Sequence, residues 1–464
     1  MILEEIFETY KKFSVTEKKR FHQFVKSPYH NSNEHIVTFC KVLYKSKVLP
    51  DKKQLYNLIW GKLIYKDANI RQLYKFFGQL LRSFLALELL QQDKFTMPLL
   101  SIKALQQKGA KKLVLHTLKQ VHEDVNASQL KNSEFWYQKF NYETIVQEAL
   151  HTSKRDKESN LSNQLDALEL FYLAEKLKIM NMMLAHQNVF KTDYQILLKQ
   201  EILALANIEK FKNIKAIKYF QLAYLCFEDF ENETYYKELS NHVNNSLEVF
   251  NNEEQRMLLV TLINYCIKKI NSKSGSFREE LLKWYQFGIE NSILFENNLL
   301  THYTYTNTIT VAILLKKYDW VKQFIEDYKI ALEPNIREIY YQYNLSKYYY
   351  EVQDYKLALR ILHRHDFEDK LLIMSAKILL LKILYETADF SSLESVLEST
   401  KMLLYREKNV NYHKDSFLNF IKILQAILLL NSKSKKEKLS QKIEALPTLT
   451  EKKWLLKQIE ILKY

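Results

Sequence analysis

The chain has 464 residues but only 5 glycines and 5 prolines. Average usage would supply roughly 55 of the two together, and strands joined by tight turns depend on them, so a β-rich or α/β fold is excluded. The net charge is +14, and the longest apolar run, Ile421 to Leu430, is interrupted by Lys422; this falls short of the roughly 18 residues of a bilayer span and predicts a soluble all-α protein without membrane insertion.

Ser14-Val15-Thr16-Glu17 has the spacing of a capping box and opens a helix with Phe21, Phe24 and Val25 on one side. Ser27 to Ser32 (SPYHNS) reads as a loop, because proline disfavours helix at the residue before it. Asn33 caps the next helix, which carries Ile36, Phe39, Cys40 and Leu43 at helical spacing. Asp51 caps another, with Leu55, Leu58 and Ile59, ending near Gly61. Asp67 opens a long helix to about Gln92 whose expected apolar face is Leu73, Phe76, Phe77, Leu80, Phe84 and Leu87. Helices follow at about 98–108, with Pro98 in the first turn and Gly109 as C-cap, then at 110–126 and 132–152. The polar segment His151 to Asn160 (HTSKRDKESN) is the predicted boundary between a basic N-terminal helical region, 1–155, and a helical-repeat region, 156–464.

Within the second region an internal period stands out. Asp319-Trp320, Asp354-Tyr355 and Asp389-Phe390 are each 35 residues apart, and each lies between two apolar helices. A carboxylate at such a turn can cap the orphan N–H groups of the following helix, and the ring can fill the wedge between the pair. Periods of 20–50 residues of this kind imply stacked helix pairs. Asp229-Phe230 is a further candidate turn, and Lys433 to Lys442 is expected as a charged connector between final helices at about 415–430 and 448–462.

At Lys347 to Leu362 (KYYYEVQDYKLALRIL) the chain resembles a tetratricopeptide helix–turn–helix, with Asp354-Tyr355 at the turn and Ala358 at the small crossing position. It departs from that pattern in having Gln353 where the family prefers Gly, and Gln323 and Leu393 where the other repeats would place the small residue. The chain also resembles a group of long helical-repeat proteins of Bacteroidota, through the SPYHN loop, Glu175-Lys176-Leu177 and the 338–400 block; that resemblance implies no activity. The expected fold is therefore a right-handed α-solenoid of antiparallel, tetratricopeptide-like helix pairs with an N-terminal helical cap.

Two surfaces are candidates for function. Residues 14, 11, 7 and 4 before a turn Asp share one helix face. In the middle repeat these are Tyr340, Tyr343, Lys347 and Tyr350, and the neighbouring repeats add Tyr305, Lys382 and Tyr385. Tyrosine and lysine on a concave face suit a peptide or helix of a partner protein. The second surface is basic. Residues 1–155 hold 26 Lys/Arg against 14 Asp/Glu, whereas 156–464 hold 42 against 40. Lys18, Lys19, Arg20 and Lys26, with Arg71, Lys75 and Arg82 along the long helix, would meet an anionic partner such as nucleic acid or a ribonucleoprotein. Segment 51–85 loosely resembles the helix-turn-helix of transcriptional activators, which would send its second helix into the major groove.

No catalytic, cofactor or metal motif is found: the scattered glycines form no GxGxxG or P-loop, and there is no HExxH. The weak metal candidates are His363-Arg364-His365-Asp366 and the trio His22, His30 and His35. Cys40, Cys226 and Cys266 show no CxxC spacing and read as small buried apolar residues. The N-terminus lacks the basic start of a signal peptide. The expectation is a non-enzymatic cytoplasmic protein without cofactor that works by protein binding or, alternatively, as a nucleic-acid or ribosome-associated factor through its basic region.

Overall fold

The computed structural model describes residues 2–46, 48–61, 63–151, 159–190, 192–272, 277–364, 369–406, 411–430, 432–446 and 448–462. Among them the fold is all-α: 23 α-helices are joined by short turns, and two two-residue strands, β1 (Phe295–Glu296) and β2 (Leu299–Leu300), form one antiparallel ladder. No described helix is long and apolar enough to cross a membrane. The chain divides into two compact units, Met1–Lys218 and Tyr219–Tyr464. The predicted boundary at 155/156 lies outside the described residues.

Unit 1 contains α1 (Ile2–Lys11), α2 (Val15–Lys26), α3 (Glu34–Lys45), α4 (Lys52–Trp60), α5 (Asp67–Gln92), α6 (Thr96–Gln107), α7 (Lys111–Ala127), α8 (Ser133–His151), α9 (Leu161–Phe190) and α10 (Lys199–Ala206). The start signals act as their chemistry dictates. Glu17 N–H donates to Ser14 Oγ at 3.2 Å while Ser14 N–H donates to Glu17 Oε2 at 2.7 Å. Asn33 and Asp51 accept from His35 N–H and Lys53 N–H, each at 3.0 Å. Gly61 ends α4 at φ 70°, in the left-handed region where a Cβ is disfavoured.

The first core is aromatic. Phe21 meets Phe77 and Phe84 edge-on at 5.5 and 5.2 Å, and Phe39 meets Phe77 at 4.8 Å. Each fully buried ring contributes about 1.5–3 kcal/mol by leaving water. α5 lies in the middle, but its buried face is Ile70, Leu73, Tyr74, Phe77, Leu81 and Phe84. Phe76, expected in that face, is 38% exposed. The helix is rotated because α1 crosses it closely at Gly78, where an added Cβ would stand 2.9 Å from Ile6 Cδ1. Farther along, α8 packs along α9, on either side of the polar segment. Gln164 Nε2 donates to Thr144 Oγ1 and Lys178 Nζ to Ser133 Oγ, both at 2.9 Å.

The unit boundary falls inside α11 (Lys215–Glu228). Unit 2 continues with α12 (Glu233–Asn245), α13 (Asn252–Asn271), α14 (Phe277–Glu290), α15 (His302–Leu314), α16 (Tyr318–Tyr328), α17 (Arg337–Glu351), α18 (Tyr355–Arg364), α19 (Lys370–Glu386), α20 (Phe390–Arg406), α21 (Asn411–Leu428), α22 (Lys433–Ala445) and α23 (Lys452–Ile461). Successive helices pack in pairs, α13 on α14, α15 on α16, α17 on α18 and α19 on α20, while α17 also packs on both α15 and α19. Lys433 to Lys442 is not a connector but the body of α22, held by buried Leu439 and Ile443 four residues apart.

The turns repeat in backbone geometry more closely than in sequence. Lys316, Gln353 and Ala388 all take positive φ, at 58°, 63° and 56°. The N–H of each following residue, Lys317, Asp354 and Asp389, reaches back five positions to Ala312, Tyr349 and Leu384 carbonyls at 2.9–3.0 Å. These are Schellman turns. Asp354 and Asp389 then cap the next helix through Leu357 N–H at 3.1 Å and Ser392 N–H at 3.2 Å. Asp319 does not: α16 begins at Tyr318 behind Lys317, with no side-chain cap. The first turn is thus displaced by two residues from the Asp-aromatic pattern. Val321, fully buried, takes the position of Ala358, and Gln323 is exposed. The ring at the turn does not fill a wedge in every pair either, since Phe390 is 49% exposed. Asp229-Phe230 lies in a turn, but the following helix is capped by Asn232, which accepts from Thr234 N–H at 3.2 Å.

Candidate functional site

The first helices of three pairs present equivalent positions to one another. Thr310 on α15, Lys347 on α17 and Lys382 on α19 occupy the same place relative to their turns. Lys347 Nζ donates to Thr310 Oγ1 at 2.8 Å, and Asn344 Nδ2 donates to Thr306 Oγ1 one turn earlier at 3.1 Å. These bonds tie α17 to α15 by side chains alone. On the far side, Tyr350 OH donates to Glu386 Oε1 at 2.6 Å and ties α17 to α19.

Between these helices lies a cavity of about 180 Å³. Tyr343, Lys347, Tyr350 and Lys382 line it, as do Thr310, Glu351, Ser375, Phe417, Thr450 and Glu451. Four of the seven predicted groove residues therefore meet in one place. The other three do not join them. Tyr305 is fully buried, with its hydroxyl donating to the Ile325 carbonyl at 2.9 Å. Tyr340 is buried against the His302 ring at 4.3 Å. Tyr385 packs edge-on to Trp454 at 5.5 Å. The spacing placed Tyr340 and Tyr385 on the helix face correctly, but a tyrosine on a packed face turns its ring into the neighbouring layer. Tyr305 was counted from Asp319, two residues out of register with the backbone turn, and Tyr303 holds the position equivalent to Tyr340.

The charges in the cavity are held very differently. Lys382 is buried and its charge is compensated: Nζ pairs with Glu451 Oε2 at 2.8 Å and sits 4.5 Å from the Tyr350 ring centroid. Glu386, beside the cavity, accepts from Tyr350, from Tyr355 OH at 2.6 Å and from Trp454 Nε1 at 2.6 Å. Burial pushes its carboxyl up, but those three donors and the Lys382 ammonium outweigh burial and hold it below the ordinary value. Glu351 has no such donors, and burial raises it despite Lys382 and Lys347 nearby. Lys347 stands apart. Its single hydrogen bond is to a neutral hydroxyl, and it has no ion-pair partner within 4 Å among the described residues. Burial, with the neighbouring Lys382 charge adding to it and Glu451 and Glu351 opposing it, pushes its ammonium down to about 8. Tyr343, facing Ser375, is pushed up to about 12, mainly by burial.

Sequence spacing missed Glu451 and Thr450, which carry no repeat signal because they come from the segment leading into α23. Glu451 takes φ 55°, a conformation costing an ordinary residue roughly 1–2 kcal/mol, and its ion pair with Lys382 helps to hold it there. Lys347 at the groove position was legible; that it would be the cation without an anionic partner was not.

The basic residues of unit 1 divide too. Arg20 is paired with Glu88, and Arg71 with Asp67 at 2.7 Å. Lys18 folds back onto the Lys11 carbonyl at 3.1 Å. Lys19, Lys26, Lys75 and Arg82 are exposed. The histidine trio forms no metal cluster: His30 stacks on Phe24 at 4.0 Å and His35 leans on Trp60 at 5.0 Å. His365 and Asp366 lie outside the described residues. Cys40, Cys226 and Cys266 are buried free thiols. No protein-family model, curated protein or solved structure matches the chain.

Proposed function

We propose that the protein is a non-enzymatic interaction scaffold. In this reading its repeat region is a right-handed solenoid of antiparallel, tetratricopeptide-like pairs, and it holds a peptide or helix of a partner protein at the α15–α17–α19 face. The protein works in a reducing compartment, the cytoplasm. One observation carries the proposal: Lys347 offers two unfilled N–H donors to a cavity with tyrosine and serine hydroxyls around it. An acceptor-bearing side chain or chain end of a partner completes that set, and Tyr343 supplies contact area at small entropic cost. A half-buried cation whose one hydrogen bond goes to a neutral hydroxyl is costly for a fold to keep, which suits a group completed on binding.

The test is affinity capture from native extract with nuclease-treated and untreated arms. Proteins enriched by the wild-type chain are expected to be lost with Tyr343→Ala and with Lys347→Met, and kept with the surface control Lys75→Ser. Tyr350 is unsuitable as a probe, because it holds Glu386 in the interior. Capture unaffected by both cavity variants overturns the proposal. Capture that disappears with nuclease and with Lys75→Ser would instead place the partner on the basic unit.

A further inference from the structure

Helix α9 is 30 residues long, about 45 Å. One of its sides is buried against unit 1: Ala167, Leu170, Ala174, Leu177 and Met180. At about 100° per residue these cluster on one arc of the helix. On the opposite arc lie Leu161, Leu165, Leu168, Tyr172, Ile179 and Met182, all between 40% and 57% exposed. A helix that is apolar on two opposite sides is normally enclosed on both, and an exposed apolar surface of this extent marks a contact.

The stripe itself states what covers it. Its steps are four, three, four, seven and three residues, which is the alternation of a coiled-coil seam, so the complementary object is another helix. The missing seam position is Glu175, near the middle. In a parallel pair of α9 helices Glu175, which pairs with Lys178 of its own helix at 2.5 Å, would face Glu175 of the partner, carboxylate against carboxylate in the seam. In an antiparallel pair Leu168 faces the partner's Ile179, Leu165 faces the partner's Met182, and Tyr172 faces the partner's Glu175 with its hydroxyl positioned to donate to the carboxylate. The flanks agree. Glu169 of each copy, which pairs with Lys210 of its own chain at 2.7 Å, comes beside Lys176 of the other, and Lys176 has no ion-pair partner among the described residues. The seam is complementary to itself when reversed and not when parallel. We infer that two copies of this chain associate through α9, antiparallel about a twofold axis near residues 173 and 174, an isologous contact.

Sedimentation velocity of the full chain across the micromolar range is expected to show a monomer–dimer equilibrium. Leu168→Glu with Ile179→Glu is expected to sediment as monomer with unchanged helical circular dichroism. The orientation has its own readout, which does not rely on that variant folding. The native thiols are buried, so a chain carrying Leu168→Cys and Ile179→Cys should be joined between copies by a short thiol crosslinker. Leu168→Cys alone should not be, because the two positions are offset by 11 residues, about 16 Å. A wild-type chain that stays monomeric, a dimer that survives the double glutamate variant, or crosslinking by Leu168→Cys alone would each overturn the inference.

Discussion

Unit 1 holds 35 Lys/Arg against 22 Asp/Glu, whereas unit 2 holds 33 against 32. The excess in unit 1 stays on the surface over an aromatic core, and three of its seven most suggestive cations are engaged by their own fold. In unit 2 the charges nearly cancel in number, yet Lys382, Lys269 and Glu386 are drawn inside, each with partners, and Lys347 is left incomplete. Net charge shows where ions are left over. Ions taken out of water are kept where opposite charges or hydrogen bonds offset the cost, and Lys347 is the one of this group that lacks an opposite charge within 4 Å among the described residues.

The contrast can be broken hardest at the cores. Phe21→Ala removes a fully buried ring from the aromatic cluster of unit 1. It is expected to cost about 3–5 kcal/mol in urea unfolding; a loss under about 1 kcal/mol would deny that the cluster holds the unit together. In unit 2 the corresponding weak point is polar. Glu386→Ala leaves Trp454, Tyr350 and Tyr355 without their acceptor and is expected to cost about 2–4 kcal/mol. Glu386→Gln keeps an accepting oxygen, and a smaller loss of about 1–2 kcal/mol is expected.

Lys347 sharpens the contrast through pH. Its value in the folded chain, about 8, lies below the 10.5 of an ordinary lysine, so the unfolded chain holds the proton more tightly. Its penalty on folding is complete below about pH 8 and fades as pH rises from there towards 10.5. Partner retention should run the other way and fall from about pH 7 to about pH 9, whereas Lys347→Arg, whose guanidinium stays charged, should retain the partner across that range. Retention that does not change with pH in the wild type would remove Lys347 from the contact. The smallest expected effect is at the turns. Gln353→Gly relieves a left-handed residue and should stabilise by about 0.5–1 kcal/mol in the same unfolding assay.

Much of this architecture was legible because it rests on local chemistry. Ser14, Asn33 and Asp51 announce their helices through caps that need only the following three residues, and scarcity of Gly and Pro decides the class. The rotation of α5 was not legible: Phe76 and Tyr74 look alike in a hydrophobic pattern, and the choice between them is made by α1 crossing at Gly78, 72 residues away from Ile6 in sequence. The same limit governs the cavity. Tyr343, Lys347, Tyr350 and Lys382 follow from helical spacing, whereas Glu451 reaches Lys382 across 69 residues with no period to announce it. The displaced Asp319 turn shows the converse error, an attractive sequence match two residues out of register with the backbone turn.

That displacement has a consequence for how such a chain can vary in length. Turn to turn, from Lys316 to Gln353 and from Gln353 to Ala388, the separations are 37 and 35 residues, yet the three turns share one geometry and Lys347 still finds Thr310. The longer interval contains the single-turn 3-10 segment Lys329–Ala331 between its helices. Slack is therefore stored in the connections behind the α15–α17–α19 face, while the face keeps its register. An added or removed residue in the α16–α17 connection is expected to leave the front surface in step, whereas one inside α17 would not.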